Sequence, residues 1–124
     1  MRPYRIERLG RELVRHIAQI VQQDLNDPRL GFVSITKVEV ARDLSVAKVF
    51  VSVLGGPKEA HLSLEALRSA AGYIHRELRA RVRGPEIPPL RFVRDDSIRK
   101  AFEVGRILDE IAQERGAREQ GEDE

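Results

Sequence analysis

The chain has 124 residues and no cysteine, which fits one domain with at most a short tail and excludes thiol catalysis, disulfides and cysteine-ligated metal sites. Lys and Arg number 22 against 20 Asp and Glu, but the net of +2 is unevenly spread: residues 113–124 carry −3 and residues 1–112 carry +5. A basic body with an acidic tail points to an acidic partner, nucleic acid being the commonest, although a biased soluble surface reads the same way.

In chain order, a helix is predicted over Tyr4–Asp24, because Ile6, Leu9, Leu13, Ile17 and Ile20 recur at three- and four-residue spacing. Arg8, Arg11 and Arg15 fall opposite that stripe. Asn26-Asp27-Pro28 stops the helix, since the residue before proline is pushed out of the α region. Phe32–Val40 reads as a strand whose apolar phase switches near Lys37, the mark of a bulge or strong twist. Ser45–Leu54 is a second strand, with Ala47, Val49, Val51 and Val53 on one side and Lys48 and Ser52 on the other. A link of only Ala41–Leu44 makes the two an antiparallel hairpin.

After the breaker Gly55-Gly56-Pro57, an apolar stripe runs through Leu64, Leu67, Ala71, Ile74, Leu78 and Val82. It predicts two helices, 58–70 and 72–83, meeting at an angle in Ser69-Ala70-Ala71-Gly72. An interior glycine costs about 1 kcal/mol against alanine, so Gly72 is either a kink or a close-packing point. Gly84-Pro85 ends the second helix, Ile87-Pro88-Pro89 is extended, and Leu90–Arg94 is a third strand. Ser97 can cap a last helix, 98 to about 113, with Ile98, Ala101, Leu108 and Ala112 on its buried stripe. Residues 113–124 contain one apolar residue, Ala117, and are expected to stay unordered. The order α-β-β-α-α-β-α gives an α+β sandwich, a three-stranded sheet with helices on one face.

No apolar run approaches the roughly 20 residues that span a bilayer, and residues 1–10 lack the apolar block of a secretory signal. A cytoplasmic protein with no membrane partner is expected. His16, His61 and His75 have no metal-ligand spacing, so neither a metal nor a cofactor is expected. Gly55-Gly56-Pro57-Lys58 lacks the frame of a phosphate loop. Asp95-Asp96 is explained by helix capping, and Ser63 and Ser69 lie in helical segments rather than on a nucleophile elbow. What remains is arginine placement. Arg68, Gly72, Arg76, Arg79 and Arg83 are spaced four, four, three and four apart along one flank. Such a row can follow a phosphate backbone, because guanidinium forks match phosphate geometry; a solvated helix face with Glu77 interspersed fits it too. Aromatic stacking looks poor, with four Phe, two Tyr and no Trp, and Phe50 and Phe92 in strands where core packing is expected. Recognition through shape and backbone fits better than base-by-base reading.

Asp27-Pro28-Arg29-Leu30, then Val33-Ser34-Ile35-Thr36 with Val38, then Asp43-Leu44-Ser45 with Ala47, Val49, Val51 and Ser52, resemble the ribosome-binding factor A family. Ala70-Ala71-Gly72-Tyr73-Ile74 and Pro89-Leu90 with Phe92, Asp95 and Ser97 extend the match, which runs in order from about residue 3 to 112. The resemblance implies a type II KH-like fold for residues 1–112, in which Ser69, Ala70, Ala71 and Gly72 form a helix kink where an ordinary KH domain has a GxxG loop. It further implies a non-catalytic assembly factor that binds the immature small (30S) ribosomal subunit and aids 16S rRNA maturation, alongside ribosomal proteins and assembly GTPases. A monomer that meets RNA through Arg68, Arg76, Arg79, Arg81 and Arg83, then Arg8, Arg11 and Arg15, with Lys37, Lys48, Arg91 and Arg94 as additions, is the expected form. A module whose main contact is a protein, and a small RNA-processing enzyme, are the alternatives.

Overall fold

The apolar stripe of the first helix is its buried face. In the computed structural model, which describes residues 3–83 and 86–122, α1 (Pro3–Asp24) buries Ile6, Leu9, Leu13, Ile17, Ile20 and Val21. Fully burying a side chain of this kind contributes roughly 1.5–3 kcal/mol. At Gly10, α1 comes so close to the sheet that a Cβ there would stand 2.6 Å from the Val38 carbonyl oxygen.

Strands β1 (Val33–Val40) and β2 (Ala47–Val53) form the predicted antiparallel hairpin. The register passes from Ile35 opposite Val51 to Lys37 opposite Phe50, leaving Thr36 as the extra residue of a bulge. That single insertion lets Ile35 and Val38, an odd number of residues apart, both reach the core. In the hairpin turn Leu44 takes a left-handed φ of 59°. Beside it the Asp43 carboxylate accepts the Ser45 N–H at 3.1 Å, and the Ser45 hydroxyl, ahead of that N–H, holds its carboxyl below the usual range.

The chain then crosses over through α2 (Pro57–Ser69) and α3 (Ala71–Arg81) to β3 (Leu90–Arg94), which pairs with β2 in parallel. A parallel neighbour requires such a crossover, and the strand order is β1-β2-β3. Ile35, Val38, Ala47, Val49, Val51 and Phe92 of the sheet's inner face pack against the stripes of α1, α2 and α3. The Ile87-Pro88-Pro89 segment is tied down by His75, whose Nε2 lies 2.8 Å from the Ile87 carbonyl oxygen. Among the described residues, no helix is long and apolar enough to cross a membrane.

Several expectations change. Phe92 is a core residue, but Phe50 is not: it is half-buried on the outer face of the sheet, beneath Lys37 and Lys48. Gly72 is no close-packing point, since a Cβ would meet only the Arg76 side chain at 3.9 Å, and the helix break falls two residues earlier, at Ala70. The last helix, α4 (Ser97–Glu122), runs past its predicted end near 113. Among its described side chains it buries no stripe: Ala101, Leu108 and Ala112 are exposed, together with Phe102, Val104, Ile107 and Ile111. The reason is geometric, because the inner face of the sheet is already filled by α1–α3. The Gly84-Pro85 stop and the side chain of Ile98 lie outside what the structure describes.

Candidate nucleic-acid interface

The junction of α2 and α3 is a break one residue long. Ala70, at φ −91° and ψ 0°, leaves the helical path, yet its N–H still reaches the carbonyls of Ala66 and Leu67, both at 3.1 Å. Its own carbonyl accepts the Ile74 N–H at 2.9 Å, so no loop is needed to change direction. Alanine suits both junction positions, as Ala70 and Ala71 pack partly buried against the core.

The turn after α1 is bolted to this break. The Asp27 carboxylate holds the Arg29 guanidinium at 2.7 and 3.1 Å and its backbone N–H at 2.9 Å. The Arg29 guanidinium beside Asp27 keeps that carboxyl below the usual range. Arg29 also donates to Ser69 Oγ at 3.2 Å, and the Gly31 N–H donates to the buried Ser63 Oγ at 3.0 Å. A surface depression lies between Pro28 and the Ala66, Ser69 and Ala70 side of the helix pair. Sequence reasoning does not single out Arg29 and Asp27 as site residues, although they stand in the block that carries the family resemblance.

The expected RNA-binding residues do not form one row. Arg8, Arg11 and Arg15 are exposed on the outer side of α1, with Arg8 3.6 Å from Glu12. Arg76 and Arg79 are exposed on α3, which packs beside α1. The predicted continuation fails at both ends of α3. Arg68 lies before the break and donates to the Phe92 carbonyl of β3 at 3.1 Å. Arg81 sits between Asp24 at 3.7 Å and Glu77 at 3.6 Å, its side chain 29% exposed. Arg83 follows Val82, whose φ of −105° and ψ of 117° are extended, so it lies off the helix. Asp24 also accepts the Tyr73 hydroxyl at 2.9 Å, which raises the phenol's pKa.

Lys37, Lys48 and Arg91 belong to the opposite surface, the face of the sheet that α1–α3 leave bare. Arg94 shares the register of Val51 and so stands on the inner side, at the end of β3. Phe50 belongs with Lys48 and Ser52, as its place in the alternation of β2 already indicates. Among the described residues, no three His, Cys, Asp or Glu side chains are grouped to hold a metal ion. His61 faces Glu65 at 3.0 Å.

An αββααβ chain whose third strand runs parallel to the second, with its helix pair joined by a break, is a KH-like domain of the second type. The Ribosome-binding factor A family profile matches residues 5–108. A Thermomicrobium roseum protein named ribosome-binding factor A is 48% identical over 115 residues, covering 93% of this chain and 89% of that one. The crystal structure of ribosome-binding factor A from Thermus thermophilus aligns with a TM-score of 0.64 at 30% identity, over 72% of this chain and 93% of that one. A homology model of the Thermus thermophilus factor, fitted into the cryo-EM map of its complex with 30S, aligns with a TM-score of 0.60 at 31% identity, over 73% of this chain and 96% of that one. The chain belongs to the ribosome-binding factor A family.

Proposed function

We propose that the protein binds the immature small ribosomal subunit in the cytoplasm as a monomer and assists late maturation and processing of 16S rRNA, with no catalysis or cofactor of its own. The observation that carries this reading is the family match along residues 5–108, together with the likeness to the Thermus thermophilus factor fitted to 30S. The outer helical surface supplies the chemistry. Arg8, Arg11, Arg15, Arg76 and Arg79 place guanidinium groups on solvent-facing turns of α1 and α3, where planar forks can engage phosphates. The binder shifts the particle between conformations only by its differential affinity for them, so it acts by holding one local rRNA conformation.

Co-sedimentation with immature and mature small subunits across a salt series tests this. Replacing Arg11, Arg76 and Arg79 by Ala should weaken binding and flatten the log–log salt dependence by about 0.7–0.9 for each phosphate left unneutralised. A folded triple variant with unchanged affinity and slope would remove this surface from the interface. One observation favours a second reading, in which the main contact is a ribosomal protein or assembly GTPase. The apolar residues Val104, Leu108 and Ile111 of α4 are exposed at helical spacing, as a helix awaiting a partner would display them. Binding to protein-free 16S rRNA as tight as to the particle excludes that second reading.

A further inference from the structure

On the bare face of the sheet, aromatic, cationic and hydroxyl side chains stand together. Strand register puts Lys37, Phe50 and Val93 in one cross-strand row and Glu39, Lys48 and Arg91 in the next. Ser34 and Ser52 form a row on the other side of Phe50. Lys37 Nζ lies 4.7 Å and Lys48 Nζ 6.0 Å from the centre of the Phe50 ring. The acid among these rows, Glu39, is held by Lys37 at 2.9 Å. We infer that Phe50, flanked by Lys37, Lys48 and Arg91, is a stacking site for one unpaired base of a single-stranded RNA segment, on the side of the domain opposite its arginine-bearing helices.

The chemistry of the patch selects this occupant. A nucleotide brings a flat π face and a flanking phosphate, and the patch offers one ring with three cations around it. Two residues along a strand stand roughly 7 Å apart, so Lys48 and its neighbour Arg91 lie one row from the ring, within reach of the phosphate next to a stacked base. A protein partner would need a cluster of apolar anchors at the centre of its interface, whereas these rows supply only Phe50 and Val93. Lys37 covers the ring in the free protein, and the competition favours the base. A surface cation–π contact strengthens an equilibrium about two- to fivefold, whereas a base stacked on an aromatic side chain is worth roughly five- to 150-fold. The displaced ammonium keeps its charge and can follow the phosphate. With a single aromatic ring, the site takes one base and is tolerant of sequence.

The inference rests on the ribosomal reading, and the tests keep the two apart. The chain has no tryptophan, so Phe50→Trp adds the sole indole reporter at the site. Its fluorescence should be quenched by an eight-nucleotide oligoadenylate and left unchanged by an abasic strand of the same length. Phe50→Leu, which keeps an apolar side chain but removes the ring, should weaken oligoadenylate and small-subunit binding about tenfold, with affinity for the abasic strand and the salt slope preserved. Equal responses to the two strands, or oligoadenylate affinity in a folded Phe50→Leu variant within twofold of the parent, overturn the stacking site. If Phe50→Leu weakens subunit binding while the two strands remain indistinguishable, the ring meets a protein and the RNA assignment is wrong. Failure of the parent protein to co-sediment with either form of the subunit is a different result, and it strikes the ribosomal reading itself.

Discussion

Helices α1 and α4 carry the same kind of sequence pattern and come to opposite ends. In α1 the residues at three- and four-residue spacing, Ile6 through Ile20, are buried against β1 and α3. In α4 the corresponding residues, Val104, Leu108 and Ile111, are 55%, 60% and 42% exposed. Periodicity announces that a helix has an apolar side; it does not say what covers that side. Three helices exhaust the inner face of a three-stranded sheet, and the fourth is left with its apolar side in solvent.

The sharpest way to break that comparison is to delete a matched leucine from each helix. Leu13 is fully buried, so Leu13→Ala should cost about 2–5 kcal/mol through forfeited transfer energy and the cavity left behind. Leu108→Ala should stay within roughly 0.5 kcal/mol. Urea midpoints measure both, and equal losses would mean that α4 is docked in solution. One interior glycine from each of these two helices makes the next test. At Gly10 a Cβ would collide with the Val38 carbonyl oxygen at 2.6 Å, while at Gly105 nothing lies within 4 Å. Overpacking costs about 1–3 kcal/mol, against a helix-propensity gain of about 1 kcal/mol, so Gly10→Ala should lower the thermal midpoint. Gly105→Ala should keep only the gain, seen as added helicity by circular dichroism with no loss of midpoint.

The same contrast accounts for what can be read from the sequence. The core stripes of α1, β2 and the helix pair are legible because each has a clean period and a face to bury it. The bulge is legible because Val33, Ile35, Val38 and Val40 change phase, and a strand with one buried face cannot tolerate that without an extra residue. The parallel placement of β3 beside β2 is a long-range pairing and leaves no local mark. At the candidate site, residue type is legible and grouping is not. The spacing of Arg68, Arg76, Arg79 and Arg83 assumes one uninterrupted helix, but the break at Ala70 and the extended backbone at Val82 scatter the row. Arg81 and Arg68 then find local partners in Asp24, Glu77 and the Phe92 carbonyl. Residue type alone puts Phe50 in the core, whereas its position in the alternation of β2 sets it beside Lys48 and Ser52.

The smallest expected effect probes what holds α4 to the body at all. Asp95, just before α4, donates its N–H to the Val51 carbonyl at 2.7 Å and accepts the Ser97 N–H at 2.9 Å. Its other oxygen takes the hydroxyl of the bulge residue Thr36 at 2.6 Å, so one residue links the root of α4 to β1 through its carboxylate and to β2 through its N–H. The Thr36 hydroxyl is the main cause, ahead of the Ser97 bonds and the nearby Lys37 charge, of a carboxyl pKa lowered from 3.8 to about 2. Because the folded value lies below the ordinary one, this linkage stabilises the fold fully above about pH 4 and is lost as pH falls through about 2. Thr36→Val removes the hydroxyl and keeps the β-branched shape. It should raise the Asp95 pKa towards 3.8 without reaching it, since the Ser97 bonds remain. A carbon-detected NMR titration of the carboxyl reads this directly. An unchanged Asp95 titration in the folded variant would show that β1 does not hold the root of α4, and that the helix is fixed only by its own first turn and its bond to β2.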